Sequence, residues 1–185
     1  MSIIKLTPPL TDAVIASLHA GDRVIINGTM YTARDAAHKR MVEAIKNKQP
    51  LPIDIKGQII YYVGPTPPKP GQVIGSAGPT TSLRMDSTII PLLAMGLKAS
   101  VGKGSRNKEV REALVKYKAV YLAATGGAGA FLAKRIKKVE LVAYEDLGTE
   151  AIRKLTVEDF PAFVINDIYG KDFYEIAKEK YAIKS

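Results

Sequence analysis

The chain has 185 residues, 46% apolar and 24% charged, which suits one ordinary domain over residues 1–185 with a core of its own. No apolar run approaches the roughly 20 residues of a membrane helix, and Met1-Ser2-Ile3-Ile4-Lys5 lacks the regions of a signal peptide, so a cytoplasmic protein is expected. The absence of cysteine excludes disulfides and any thiolate metal site built by this chain alone, only His19 and His38 could supply imidazole, and the formal charge of +9 favours anionic partners.

Strand-like and helix-like segments alternate, which predicts an α/β or α+β class. Ile3 to Leu6 reads as a short strand, followed by a short helix capped by Thr11 or Asp12 and running to Leu18. Arg23 to Asn27 reads as a strand that Gly28 breaks, with Thr29 to Tyr31 as its continuation. Thr32-Ala33-Arg34-Asp35 has cap-then-acid spacing and opens a helix whose Ala37, Met41 and Ile45 face inward. Ile59 to Val63 is a buried strand. Gly64-Pro65-Thr66-Pro67-Pro68-Lys69-Pro70-Gly71 is too proline-rich for helix or central strand and reads as a stiff loop.

Gly78-Pro79-Thr80-Thr81 then starts a helix to about Met95, with Met85, Ile89, Leu92 and Leu93 on one face and Gly96 as its stop. Leu97 to Val101 is a strand, Gly102-Lys103-Gly104 a turn, and Asn107 the cap of a helix to Tyr117. Ala119 to Ala123 is a strand, and Thr125-Gly126-Gly127-Ala128-Gly129 bends into a helix through Lys134. Three further strands are expected, Val139 to Tyr144, Ala151 to Val157 and Pro161 to Ile165, before a last helix from Asp172 to Lys180.

Four segments carry chemistry. In Gly78-Pro79-Thr80-Thr81-Ser82-Leu83-Arg84-Met85-Asp86, two threonines and an arginine fork meet a helix start, which suits a carboxylate; an ordinary Thr cap with an exposed Arg explains the same residues. In Arg34-Asp35-Ala36-Ala37-His38, a cation opposes the helix dipole and asks for compensation by Asp35 or a bound anion; His38 reads first as a structural histidine and only second as a catalytic one. Gly102-Lys103-Gly104-Ser105-Arg106 lets backbone approach a ligand, although Gly-Lys-Gly is common in loops and is no Walker A motif. Thr125-Gly126-Gly127-Ala128-Gly129 lacks the dinucleotide fingerprint and suits close helix–strand packing.

Between Lys98 and Lys138, eleven Lys and Arg stand against Glu109 and Glu112. This reads as a solvated surface or as an anion-attracting one. Tyr117, Tyr121 and Phe131 form no base-stacking motif, so nucleic acid is not the favoured partner.

Taken in order, these segments resemble the β subunit of class I fumarases and L-tartrate dehydratases. The resemblance includes Ile60-Tyr61-Tyr62-Val63-Gly64-Pro65-Thr66-Pro67, Gly78-Pro79-Thr80-Thr81 with Arg84-Met85-Asp86-Ser87, Gly102-Lys103-Gly104, Gly126-Gly127 and Asp159-Phe160-Pro161-Ala162-Phe163. It implies a swivelling β/β/α domain of the aconitase and fumarase C-terminal type. It implies a cysteine-containing α subunit that carries a [4Fe–4S] cluster, in an αβ or α2β2 assembly, with a small dicarboxylate as substrate. Reversible hydration of fumarate to (S)-malate is the implied reaction. The alternatives are another 2-hydroxyacid dehydration, such as that of L-tartrate, and a non-catalytic anion-binding or assembly module. By the resemblance, Thr80 is the catalytic base, Arg34, Thr80, Thr81, Arg84 and Lys103 bind substrate, and Asp35, His38 and Asp86 support them; no metal ligand falls on this chain. Ser82-Leu83 and Ser105 depart from the family's usual Ala-Gly and Asn and leave the charged residues in place.

Overall fold

A computed structural model describes residues 3–182; residues 1, 2 and 183–185 of the expected domain lie outside the described residues. The chain begins with β1 (Ile3–Leu6), an edge strand laid parallel to the first half of β2 (Arg23–Thr32). Between them α1 (Asp12–Ala16) is capped by Thr11, whose hydroxyl accepts the Val14 N–H at 3.3 Å, and buries Ile15. Gly28 does not end the second strand. It adopts φ +100° and marks a register shift against the partner strand, so the chain passes through a bulge and continues to Thr32.

β3 (Ile59–Tyr61), β4 (Ala99–Gly102) and β5 (Val120–Ala123) extend the parallel set, each buried along its whole length as strands covered on both faces must be. β6 (Ile136–Ala143) and β7 (Ile152–Asn166) follow as an antiparallel pair. The two strands expected on either side of Asp159 are one strand of 15 residues, because Asp159 takes φ +48° and kinks the strand without ending it. β7 pairs antiparallel with β5 at one end and with most of β2 on its other edge, so the pairing runs β2–β3–β4–β5–β7 and back to β2. The described chain is therefore a mixed α/β fold whose sheet closes upon itself.

Alternation along these strands sorts the core in two. Ile59, Tyr61, Val101, Leu122, Leu155, Val157 and Phe160 belong to one cluster with Ile26 and Met30, drawn from the strands of the ring. Ile60, Tyr62 and Tyr121 point the other way, into a second cluster. That cluster is covered by α2 (Asp35–Lys46), α3 (Asp86–Ala94) and α4 (Lys108–Tyr117), which pack side by side through Ala37, Met41, Ile89, Leu92, Val110 and Leu114. α5 (Gly129–Ala133), α6 (Phe173–Tyr181) and two 3-10 turns, Ser82–Met85 and Glu145–Glu150, complete the described elements. No helix among the described residues is long and apolar enough to cross a membrane.

Candidate functional site

Parallel strands deliver their following loops to one end. Register aligns Thr32 of β2 with Tyr61 of β3, Tyr61 with Val101 of β4, and Val101 with Leu122 of β5. Arg34 lies two residues past that row, as does Lys103, with Gly64 and Thr125 three past it. Four loops therefore gather at the carboxyl ends of four parallel strands, the end at which α/β folds, open or closed, carry their ligand sites.

Arg34 is the N-cap of α2 and makes no side-chain cap. Thr32, whose spacing suited a cap, is instead buried: its hydroxyl donates to the Ala151 carbonyl at 3.0 Å and accepts the Arg153 N–H at 2.9 Å. The helix is capped from far away by Glu150, whose Oε2 accepts the Ala36 N–H at 2.8 Å. The other oxygen of Glu150 lies 3.4 Å from Arg34 Nη2. Asp35 Oδ2 lies 3.7 Å from Arg34 Nε, and Asp35 Oδ1 accepts from Arg84 Nε at 3.0 Å. Charges thus alternate along Glu150, Arg34, Asp35 and Arg84. Two acids meet the dipole and the partly enclosed arginine, which answers the compensation the sequence demanded.

Gly64 makes room for this arrangement. A Cβ there would come within 2.3 Å of Arg34 Nη1, so the guanidinium lies close against the backbone after β3. Arg34 is mostly enclosed, with 18% of its side chain exposed, and Arg84 is half open at 50%.

The Thr80 segment is stitched between two strand ends. The Thr80 N–H donates to the Tyr62 carbonyl at 2.7 Å, the Lys103 N–H to the Thr80 carbonyl at 3.1 Å, and the Ser82 N–H to the Lys103 carbonyl at 2.9 Å. Thr81 and Lys103 form a parallel bridge. The helix does not begin near Thr80 as expected: a 3-10 turn spans Ser82–Met85, and α3 starts at Asp86. Thr80 and Thr81 consequently stay extended, and their hydroxyls have no protein hydrogen bond among the described residues. Lys103 is exposed and has no ion pair among the described residues. Beside it a cavity is lined by Ala123, Thr125, Gly126, Phe163, Phe173 and Tyr174. The hollow under the proline-rich loop, lined by Pro67, Ile74, Ala130 and Lys134, holds none of the candidate residues.

Two supporting candidates lie beneath this surface. His38 is fully buried, edge-on to Tyr62 with ring centroids 5.4 Å apart. Its Nδ1 is 3.2 Å from the Thr88 hydroxyl, which itself donates to the Met85 carbonyl at 3.0 Å; Nδ1 therefore carries the ring proton. Burial, with the nearby Arg106 adding to it and Asp35 opposing, holds its pKa down at about 3, so the ring is neutral. Asp86 is buried against Arg106, with Oδ1 at 2.7 Å from Arg106 Nε, while Oδ2 accepts the Asn107 N–H at 2.7 Å. Burial pushes its pKa up, and Arg106 pulls against that; the short paired contacts keep the carboxylate ionised.

Arg106, Tyr62, Tyr121, Gly64 and Glu150 were not assigned roles from the sequence. Arg106 is fully buried, its guanidinium 5.5 Å from the Tyr62 ring centroid and 5.2 Å from that of Tyr121. The Lys-Gly-Ser-Arg run pointed to this arginine but not to its burial. Nothing local pointed to Glu150, which lies 114 positions from the helix it caps.

This end of the parallel strands carries two ion-paired arginines, an exposed lysine and two threonine hydroxyls without a protein hydrogen bond among the described residues, groups whose chemistry suits an anion. The chain belongs to the Fumarase C-terminus family, whose model matches residues 1–177. It is similar to fumarate hydratase class I, aerobic, of Escherichia coli K12, with 40% identity over 176 residues covering 93% of this chain and 32% of that protein. Fumarate hydratase 2 of Leishmania major is 44% identical over 156 residues, 83% of this chain and 28% of that protein. "Putative L(+)-tartrate dehydratase subunit beta" of Methanocaldococcus jannaschii is 40% identical over 177 residues, 92% of this chain and 91% of that protein. The chain thus spans about a third or less of these two fumarate hydratases and nearly all of the tartrate dehydratase subunit.

Proposed function

We propose that this chain is the β subunit of an iron–sulfur hydro-lyase that hydrates fumarate reversibly to (S)-malate. The observation that carries the proposal is the convergence of Arg34, Thr80, Arg84 and Lys103 at the carboxyl ends of β2 to β5. The match over nearly the full length of a protein named subunit beta supports a separate α partner. The chain has no cysteine, and among the described residues no three His, Cys, Asp or Glu stand where they could hold a metal ion. Its residues do not fit an iron–sulfur cluster, and we assign the cluster and its Lewis acidity to the partner. The closed sheet with one helical layer supports the further assignment to the swivelling domain type.

In this reading Arg34, Arg84 and Lys103 neutralise the two carboxylates of the substrate by charge-assisted bonds. They also favour the charge that builds on a carboxylate when the neighbouring carbon loses its proton. Thr80 Oγ takes that proton in the dehydration direction while its own hydroxyl proton passes to a basic group of the partner, and both transfers reverse in hydration. A hydroxyl is a weak base, so it needs this cationic setting and groups from the partner.

The test is anaerobic co-expression with a cysteine-bearing α subunit, followed by assay for loss of fumarate and formation of (S)-malate. Hydration only in the presence of both chains supports the proposal. An assembled, cluster-loaded complex inert toward every dicarboxylate would end it. Dehydration of L-tartrate is the second reading, favoured by the coverage of the tartrate dehydratase subunit, and a parallel assay with tartrate separates the two.

A further inference from the structure

Thr80 and Lys103 belong to different loops, and their mutual placement depends on a ladder of very few bonds. The backbone joins them through Lys103 N–H to Thr80 O and Ser82 N–H to Lys103 O. So short a parallel pairing has little stability of its own. Beside it, a single buried atom touches both loops. Tyr121 Oη accepts from Ser82 Oγ at 2.9 Å and donates to the Gly104 carbonyl at 2.8 Å.

We propose that Tyr121 is a positioning residue for the reaction, its hydroxyl setting the loop of Thr80 against the loop of Lys103. The proposal rests on the hydro-lyase reading above. Tyr121 sits on β5, fully buried, between Ser100 of β4 and Asn166 of β7. A phenylalanine would fill the same volume, so packing alone does not call for the oxygen. A buried hydroxyl needs partners, and both of its partners lie in the two loops. Burial pushes the Tyr121 pKa up, so the hydroxyl keeps its proton and remains a donor to Gly104. The ring cannot drift, because the Arg106 guanidinium is stacked 5.2 Å from its centroid and is itself tied to Asp86. Gly102 completes the fit: a Cβ there would lie 2.0 Å from Ser82 Oγ, so only glycine lets that hydroxyl cross to Tyr121. Catalytic groups set wrongly by about 1 Å lose on the order of a hundredfold in rate.

The experiment compares Tyr121→Phe and Ser82→Ala with wild type in two arms. In the full chain alone, hydrogen exchange should quicken about tenfold at the amides of Ser82 and Lys103, the loss of about one hydrogen bond. The Val120 amide, bonded to the Lys98 carbonyl, should be unchanged. In the complex with the α subunit, kcat should fall about ten- to a hundredfold, and the double variant should be no worse than the worse single one. Unchanged exchange at Ser82 and Lys103 overturns the proposal. So does wild-type kcat for Tyr121→Phe in a complex whose wild type is active. An inactive wild-type complex with quickened exchange overturns the hydro-lyase reading and leaves the loop-positioning role standing.

Discussion

Asp35 and Arg84 face each other across the site, Oδ1 to Nε at 3.0 Å, and so hold the head of α2 to the 3-10 turn before α3. The fork of Arg84 is half exposed and already satisfied by one carboxylate, the chemistry it would meet in a substrate. Arg84→Lys keeps the charge and removes the planar fork. The expected result in the assembled enzyme is a drop in kcat/KM of about tenfold or more, with unfolding little changed because the site is at the surface. Wild-type kcat/KM in the lysine variant would mean that Arg84 does not hold the substrate.

Gly64 tests the placement of Arg34 without touching its charge. In Gly64→Ala the new methyl lies where Arg34 Nη1 now sits. The far end of a flexible side chain can move aside, so the cost to stability should be below about 1 kcal/mol. The guanidinium is displaced, and KM for the dicarboxylate should rise about tenfold. Steady-state kinetics beside thermal unfolding measure both; a variant with unaltered KM removes Arg34 from the binding site.

Thr80→Val removes the hydroxyl and keeps the branched shape of a residue whose side chain has no protein hydrogen bond among the described residues. If Thr80 takes the proton, kcat should fall about a hundred- to ten-thousandfold, the usual worth of a positioned base. KM and the melting temperature should barely move. A loss smaller than tenfold would assign the proton transfer to another group.

His38 gives the domain a pH dependence. Its folded pKa of about 3 lies below the ordinary value of 6.5, so the unfolded chain binds the proton more readily in between. The associated stability is present in full above about pH 6.5 and is lost as the pH falls toward about 3, at up to about 1.4 kcal/mol per pH unit. Asp86, with its raised pKa, works in the opposite direction at the acid end. Urea unfolding at a series of pH values should show this slope in wild type and a flatter one in His38→Gln. Equal slopes would mean that another group sets the acid limit.

Removing the charge of Asp86 should be the most destabilising of these changes. Asp86→Asn keeps an acceptor for the Asn107 N–H and leaves the Arg106 guanidinium buried without its anion. The expected cost is about 3–5 kcal/mol by urea unfolding. Replacing both members, as Asp86→Leu with Arg106→Met, should recover much of the stability. Activity should stay low, because Tyr62 and Tyr121 lose the cation stacked on them. Full activity in the stable double variant would reduce the pair to a packing element.

The parts of the fold that could be read from sequence are those set by local pattern. β1, α1, α2, α4 and α6 fall within a few residues of their expected places, because apolar spacing and caps such as Thr11, Asn107 and Asp172 are local signals. Gly28 and Asp159 misled for one shared reason: a positive φ ends an isolated strand but only bends one paired on both sides. The 3-10 turn at Ser82–Met85 was hidden because its start is set by the Ser82 N–H bonding to Lys103, a partner remote in sequence. Motif and resemblance name Arg34, Arg84 and Lys103 as site candidates, and the structure shows only where they stand. Glu150 and the Tyr121 hydroxyl were not, since what they do is decided by residues far along the chain.

That distance bears on the order in which the protein can be finished as it leaves the ribosome. Arg34 and the strand before it are made early, yet the anion that caps their helix arrives 114 residues later, and the strand that closes the sheet follows immediately after it. Until residues 152–166 have emerged, β2 has one edge unsatisfied and the head of α2 has no cap. The ordered surroundings of Arg34 are therefore among the last features to form. A nascent chain halted before Glu150 would carry Arg34, Thr80, Arg84 and Lys103 without the carboxylate that caps α2 and pairs with Arg34.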